Sequence, residues 1–375
     1  MSLNKLVEMS HRYGENEEFV LAGGGNTSYK ENGTLYVKGS GVQLSDILPE
    51  QFVAMDIKKL LEMVEYEYPE SMSNDEREKK ALADMMSARL PGEESKRPSV
   101  ESILHAMFPY KFVLHVHPPL INGLTCSIDG KEKCSKLFKD KAVWIELTKP
   151  GLILAQKCNR VFREYEKKAG TFPQIVILQN HGIFIAADTV DEIDDLMNYV
   201  VDTLEKQINE FPNFQIDALS YDMDSLQAIT AKLKSLYSSI NTDNTTVAKF
   251  YINKQIEQFV ESKETFKPIS KSFTPDHIVY CKDEPLFIEP DADIEAEFNT
   301  YANRKGFKPN IVAIRGVGFF ALGSNPKKAM QAQALFLDAV KIATYAKSFG
   351  GANPLNDEFA NFILNWEVEA YRSKA

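Results

Sequence analysis

Four residues of this chain have the types and spacing for acid–base chemistry at a metal ion: Glu101, His115, His117 and His181. His115 and His117 lie two apart in the apolar run Phe112-Val113-Leu114-His115-Val116-His117. A strand turns alternate side chains to one face, so both imidazoles share a face with Val113, while Phe112, Leu114 and Val116 face the core. Pro118 and Pro119 lack N–H donors and end the ladder, leaving the imidazoles at a strand end. His181 sits in Asn180-His181-Gly182, which breaks a β-branched run at its centre and implies a bend. A histidine between two buried strands can be a packed core residue; beside His115 and His117 it is the obvious third ligand. Three neutral imidazoles and one open position suit Zn2+ or another borderline divalent ion, one per chain. An ion so held keeps its full charge, polarises a ketone and stabilises an enediolate, with Glu101 as proton acceptor at the adjacent carbon.

The elements around these residues supply the rest of a site. Ser99 is a good N-cap for a helix over 100–108, whose first turn carries Glu101 and offers free N–H groups to an anion. His105 follows one turn later on the same face, and its preferred reading is a hydrogen-bonded, half-buried histidine rather than a ligand. Upstream, 19–47 reads as a β-meander with two glycine-rich turns, Gly23-Gly24-Gly25-Asn26-Thr27-Ser28 and Gly39-Ser40-Gly41. Glycine lets backbone N–H groups converge on an anion. Each turn alone is an ordinary hairpin, and together, upstream of a metal site, they are candidate anion ligands. Neither fits a nucleotide fingerprint.

In chain order the pattern predicts a helix over 2–14 and a helix over 57–90 with a charged loop at 73–80. It then predicts helix or loop over 120–140, a strand at 143–147 and a helix at 160–169. Residues 174–208 read strand–bend–strand–helix, capped by Asp188 or Thr189. Periodicity lapses at 209–225, which divides the chain into domains of 1–215 and 216–375. Beyond lie helices at 224–239 and 245–262, strands at 277–281 (HIVYC) and 285–289 (PLFIE), and a helix at 291–305. The run VAIRGVGFFA at 312–321 echoes ILQNHGIFIA at 177–186. On this reading Arg315 stands where the first copy has His181, so the second lobe keeps the architecture without the metal chemistry; a chance match of two such units stays open.

Composition narrows the classes. A net charge of −10 argues against a nucleic-acid surface, which requires clustered Lys and Arg. Cys126, Cys134, Cys158 and Cys281 show no C-x-x-C spacing and read as reduced thiols. No apolar run approaches the roughly 18 residues of a membrane span, and the N-terminus has no signal-type h-region. The expectation is a cytoplasmic protein.

The stretches LAGGGNTSY, VKGSG, PSVE, HVHPP and NHGIFIAADTVDE together resemble the class II aldolase/adducin superfamily over roughly residues 3–208. KRPSVESILHAMFPYKFVLHVHP, TPDHIVYC and AKSFGG…FANFILNWEVEAYR further resemble the aldolase half of bifunctional rhamnulose-1-phosphate aldolase/alcohol dehydrogenases, over nearly the whole chain. The resemblance implies an α/β fold: a three-layer α/β/α domain around a mainly antiparallel or mixed sheet, with a smaller C-terminal α/β lobe. It implies zinc on His115, His117 and His181, and Glu101 as catalytic acid/base, touching the metal when substrate is absent. Phosphate would be held by Gly25, Asn26, Ser40, Gly41 and Ser99. It also implies a homo-oligomer (tetramer) and leaves open a separate dehydrogenase partner; this sequence stops where the dehydrogenase half would begin. Two departures bear on the phosphate site. Ser99-Val100 replaces the two adjacent serines common in relatives, and Ser40-Gly41 replaces Thr-Gly. A C-terminal tyrosine used by some members has no clear counterpart in this longer tail.

The leading expectation is zinc-dependent cleavage of a ketose 1-phosphate such as L-rhamnulose 1-phosphate to dihydroxyacetone phosphate and lactaldehyde. The alternatives are a sugar-phosphate epimerase or dehydratase using the same site, or a non-catalytic adducin-like scaffold, which would have degenerate ligands.

Overall fold

The structure, a computed structural model, describes residues 2–69, 71–216, 222–238 and 245–366. The tail 367–375, where the C-terminal tyrosine would be sought, lies outside the described residues. Two compact units divide the chain: 2–125 with 129–207, and 126–128 with 208–366 among the described residues. The segment 208–216, expected to close the first domain, is hydrogen-bonded within the second: Asn209 N donates to Ser348 Oγ, and Lys254 N to the carbonyl of Gln215.

The first unit is built on seven strands: β1 (Asn26–Glu31), β2 (Thr34–Lys38), β3 (Phe52–Asp56), β4 (Phe112–Val116), β5 (Val143–Ile145), β6 (Ile175–Leu178) and β7 (Gly182–Ala187). Their order is β3-β2-β1-β4-β7-β6-β5, antiparallel throughout except for parallel β5 and β6. β4 is therefore central, and its five residues are all buried. Val113, Phe184 and Ala186 face one core, closed by Leu60, Met63 and Val64, by Ile103, Leu104 and Ala106, and by Leu154, Ala155, Cys158 and Phe162. These come from helices Ile57–Glu65, Ser102–Met107 and Leu152–Ala169. The opposite strand parity meets helices Ser2–Gly14, Pro119–Thr125 and Val190–Glu205. The result is the mixed, mainly antiparallel sheet between helices that the resemblance implied.

Several sequence expectations are corrected. Asn26, Thr27 and Ser28 belong to strand β1 rather than to a glycine turn, and the tight turn comes at Asn32-Gly33, both with positive φ. β3 escaped notice, although Val53 and Met55 alternate onto the core. The charged stretch 73–80 opens a helix, Asn74–Ser87, because Ser73 and Glu76 form a reciprocal capping box. The helix expected from 160 begins at Leu152. The helix expected from Val100 is the shorter Ser102–Met107, because Glu101 lies at φ −90°, ψ 9°, outside the helical well. Ser99 accordingly caps the turn before the helix, its Oγ accepting from Glu101 N, and not the helix itself.

The second unit carries β8 (Val247–Tyr251), β9 (Leu286–Ile288), β10 (Ile311–Ile314) and β11 (Gly318–Gly323), ordered β8-β11-β10-β9. Two expectations fail here. Residues 247–251 form a strand rather than part of a helix, paired with β11 and packing Ala248 and Phe250 on the core of this unit. HIVYC is a helix, Pro275–Cys281, since Thr274 caps it and Pro275 occupies its first turn, which outweighs the β-preference of Ile278 and Val279. Cys126, Cys134, Cys158 and Cys281 are buried and unbridged. Among the described residues no helix is long and apolar enough to cross a membrane.

This second sheet repeats half of the first. β8-β11-β10-β9 matches β4-β7-β6-β5 in chain order and in every parallel or antiparallel sense. Register fixes the equivalences: Leu178–Gly182 closes one hairpin and Ile314–Gly318 the other. Asn180 (φ 54°) then matches Gly316 (φ 69°). Their N–H groups donate to the carbonyls of Thr125 and Val260 respectively. Arg315 thus falls at the place of Gln179, not of His181 as expected from the sequence echo. His181 is matched by Val317, His115 by Phe250 (each opposite a phenylalanine, Phe184 or Phe320), and His117 by Ile252.

Gly318 has φ 142°, and a Cβ there would lie 2.8 Å from both Phe250 Cε2 and Tyr251 O. Gly318→Ala should destabilise the protein by about 1–3 kcal/mol, read as a lower urea midpoint. An unchanged midpoint would show that β8 and β11 yield at this point.

Candidate metal centre

His115, His117 and His181 converge in the first unit, their ligating nitrogens all within 4.8 Å of one another. His115 Nε2 is 2.9 Å from His117 Nε2 and 3.3 Å from His181 Nε2. A tetrahedral ion with nitrogen ligands at 2.0–2.1 Å has an edge of roughly 3.3 Å, so the spacing fits. The His115 ring is fully buried, stacked on Phe184 at 4.0 Å, with Nδ1 donating to the carbonyl of Ile183 at 3.0 Å. That bond fixes the tautomer and leaves the Nε2 lone pair toward the other rings.

Local backbone features aim the other two rings. His181 follows Asn180, whose positive φ makes the bend between β6 and β7. At Gly182 a Cβ would lie 2.5 Å from Val116 O and 2.6 Å from His117 Cδ2. Only glycine lets the β7 strand pass so close to the His117 backbone. Asn122, fully buried, donates its Nδ2 to the carbonyls of both His117 (3.4 Å) and His181 (3.2 Å). Thr125 Oγ1 donates in turn to Asn122 Oδ1 at 2.8 Å. Asn122 went unmarked in the sequence because its partners are carbonyls, which leave no trace in residue type.

Glu101 faces this cluster and is 6% exposed. Oε2 accepts from Asn26 Nδ2 at 2.7 Å and lies 3.3 Å from His115 Nε2. Oε1 is buried without a hydrogen-bond partner, 3.5 Å from His181 Nε2. A carboxylate oxygen left bare beside three converging imidazoles is the arrangement a bound divalent cation would satisfy. The residues present fit such an ion.

The expected phosphate ligands divide into two groups. Gly25 (φ 63°) backs onto β4, where a Cβ would lie 2.8 Å from His115 O, and Asn26 points at Glu101. Ser40 and Ser99 lie on two facing segments: Ser40 N donates to Arg97 O at 2.7 Å and Ser99 N to Lys38 O at 3.0 Å. Gly41 follows at φ 85°. Ser99 Oγ accepts from Glu101 N at 3.3 Å, linking this ladder to the carboxylate's own backbone. Lys38, which no sequence signal marked, is buried at the end of β2 with Nζ donating to Gly23 O at 3.4 Å, so a cation stands between the two glycine segments. His105 is fully buried and bonded to Ser28 and Asn26, away from the ligating cluster.

Comparison with known proteins identifies the family of the first unit. The family model of the class II aldolase and adducin N-terminal domain matches residues 4–208. A curated relative, described as the uncharacterized oxidoreductase YuxG of Bacillus subtilis (strain 168), is 21% identical over 413 residues, covering 99% of this chain and 58% of its own length. The chain thus spans about 58% of the curated relative it matches. Among solved structures, the N-terminal class II aldolase domain of a conserved Thermoplasma acidophilum protein is 25% identical, with 55% of this chain and 93% of that one covered and a TM-score of 0.46. L-fuculose-1-phosphate aldolase from Thermus thermophilus is 15% identical, with 54% and 91% covered and a TM-score of 0.35.

Asn122→Ala should weaken divalent-metal binding on the order of 10- to 100-fold, measured by competition with a chromogenic chelator, while the protein stays folded. Unchanged affinity would mean that the His117 and His181 backbones are held without it.

Proposed function

Because this chain belongs to the class II aldolase and adducin family, we propose that it is a divalent-metal-dependent aldolase, with zinc, one per chain, as its ion. The substrate is a ketose 1-phosphate of the L-rhamnulose 1-phosphate kind, cleaved to dihydroxyacetone phosphate and lactaldehyde. Family membership supports lyase-type, aldolase-type chemistry. The observation that carries the reading further is the buried carboxylate of Glu101 facing three converging imidazoles.

His115, His117 and His181 would hold the ion, which when bound supplies a Lewis acid for the substrate's carbonyl and neighbouring hydroxyl oxygens. Glu101 exchanges the proton at C3 of the sugar. In cleavage it takes the proton of the C4 hydroxyl as the C3–C4 bond breaks and C4 becomes the aldehyde carbon, and returns that proton to C3; in condensation it removes the C3 proton and delivers it to the aldehyde oxygen. The burial of Glu101 and His115 keeps bulk water from competing for that proton. Ser40, Gly41 and Ser99, with Gly25 and the Lys38 ammonium nearby, are proposed to receive the phosphate. Asn26, with its amide turned to Glu101, is assigned to the carboxylate and would reach phosphate only by leaving it.

The oxidoreductase name of the Bacillus relative, of which this chain spans 58%, favours one addition: a dehydrogenase activity that takes up the aldehyde product.

The test is a retro-aldol assay on several ketose 1-phosphates with the metal content measured in parallel. Dihydroxyacetone phosphate should be released, lost with a chelator and restored by zinc. Metal-loaded protein that rearranges or dehydrates a sugar phosphate without yielding two carbon fragments would replace this reading with an epimerase or dehydratase. Glu101→Gln should lower cleavage about 10²- to 10⁴-fold with the metal retained. Full activity in that variant would end the acid/base assignment.

A further inference from the structure

We infer that His105 is a positioning residue for Glu101, acting through the amide of Asn26, and that it directs proton exchange to Oε1 of that carboxylate. The inference rests on the aldolase reading for its kinetic consequence, and on hydrogen-bond polarity alone for its structure.

Four side chains form one line. Ser28 Oγ lies 2.7 Å from His105 Nδ1, His105 Nε2 is bonded to Asn26 Oδ1, and Asn26 Nδ2 lies 2.7 Å from Glu101 Oε2. All four residues are buried. An ionised carboxylate only accepts hydrogen bonds, so Asn26 must present its NH2 to Glu101 and its carbonyl oxygen to His105. A carbonyl oxygen only accepts, so His105 must carry its proton on Nε2. Nδ1 is then a bare acceptor and the Ser28 hydroxyl must donate to it. Each assignment follows from the one before, and the charge on Glu101 sets the direction of the whole line. Burial, aided by Lys30 and His115, holds the His105 pKa well below the ordinary imidazole range, which agrees with a ring bearing a single proton.

The line ends on one oxygen only. Oε2 is tethered by Asn26, whereas Oε1 accepts no hydrogen bond and lies toward His181. The tether fixes the rotation of the carboxylate and leaves Oε1 as the oxygen whose lone pairs accept no hydrogen bond and face the site. Without the His105 N–H, the buried Asn26 Oδ1 loses its donor and the amide loses the bond that holds it under Glu101; flipping brings no relief, because it would set oxygen against oxygen. Sequence reading placed His105 one helical turn from Glu101 without showing the connection, since the intermediary, Asn26, lies 75 residues earlier in the chain.

Two measurements test this. In His105→Phe, which keeps a ring against Phe184 but no N–H, kcat for retro-aldol cleavage should fall about 10- to 100-fold, with KM within about twofold of wild type and metal content unchanged. His105→Gln, which restores an N–H near Nε2, should recover most of the loss. Unchanged kcat, failure of the glutamine variant to recover activity, or loss of metal together with kcat would overturn the inference. Independently of activity and of how any variant folds, 15N spectra of histidine-labelled wild-type protein should show the ring of His105 protonated at Nε2 and bare at Nδ1. An Nδ1–H tautomer or an imidazolium would overturn it. If the wild type cleaves no ketose phosphate while the Nε2–H tautomer is seen, the aldolase reading fails and the tether to Glu101 stands.

Discussion

The site depends on the close approach of β4 and β7. Where the two strands run together there is no room for a side chain at Gly182: the carbonyl of Val116 and the ring of His117 occupy that space. This contact brings the bend carrying His181 against the end of the strand carrying His115 and His117. The pairing of β4 with β1 brings Asn26 alongside His115. β4 can hold imidazoles in a fixed place because it is central, with strands on both edges and helices on both faces. The histidine cluster is thus a product of sheet geometry, and Glu101 faces it from the turn just before the Ser102–Met107 helix.

That dependence explains what the sequence made legible. Ligands contributed by strand ends and tight bends announce themselves locally: two histidines at strand spacing before a double proline, and a third inside Asn-His-Gly. Glu101 could be found for a related reason, since Pro and Ser precede it in a turn leading to a short helix. The partners that orient these groups were not legible. Asn122 acts on carbonyls, Asn26 reaches Glu101 across the sheet, and Lys38 looks like the ordinary end of a hairpin strand. In the fold, errors came where a local rule overrode composition. Capping by Ser73 turned a charged stretch into a helix, and Thr274-Pro275 did the same for a run of β-branched residues. At Val247–Tyr251 the reverse happened: an available sheet edge drew in a segment that had read as helix.

Polarity within the site follows from a few forced choices. The carbonyl of Ile183 sets the proton on His115, and the charge of Glu101 sets the orientation of Asn26 and His105. Buried groups with one satisfactory arrangement cannot drift, because each alternative strands a donor or acceptor away from water. The exception is Glu101 Oε1, which the protein leaves unsatisfied in the midst of otherwise complete bonding.

The repeated half-sheet has a consequence for how the chain responds to its surroundings. A ligand that binds only the folded state adds stability in proportion to the logarithm of its concentration over Kd, about 2.7 kcal/mol at a hundredfold excess. In the first unit three imidazoles expose folding to that mass action. In the second, the same backbone positions hold Phe250, Ile252 and Val317, which offer no ligating atom. With the proposed ion bound, its depletion would bear on the persistence of the first unit and leave the second governed by its own apolar core.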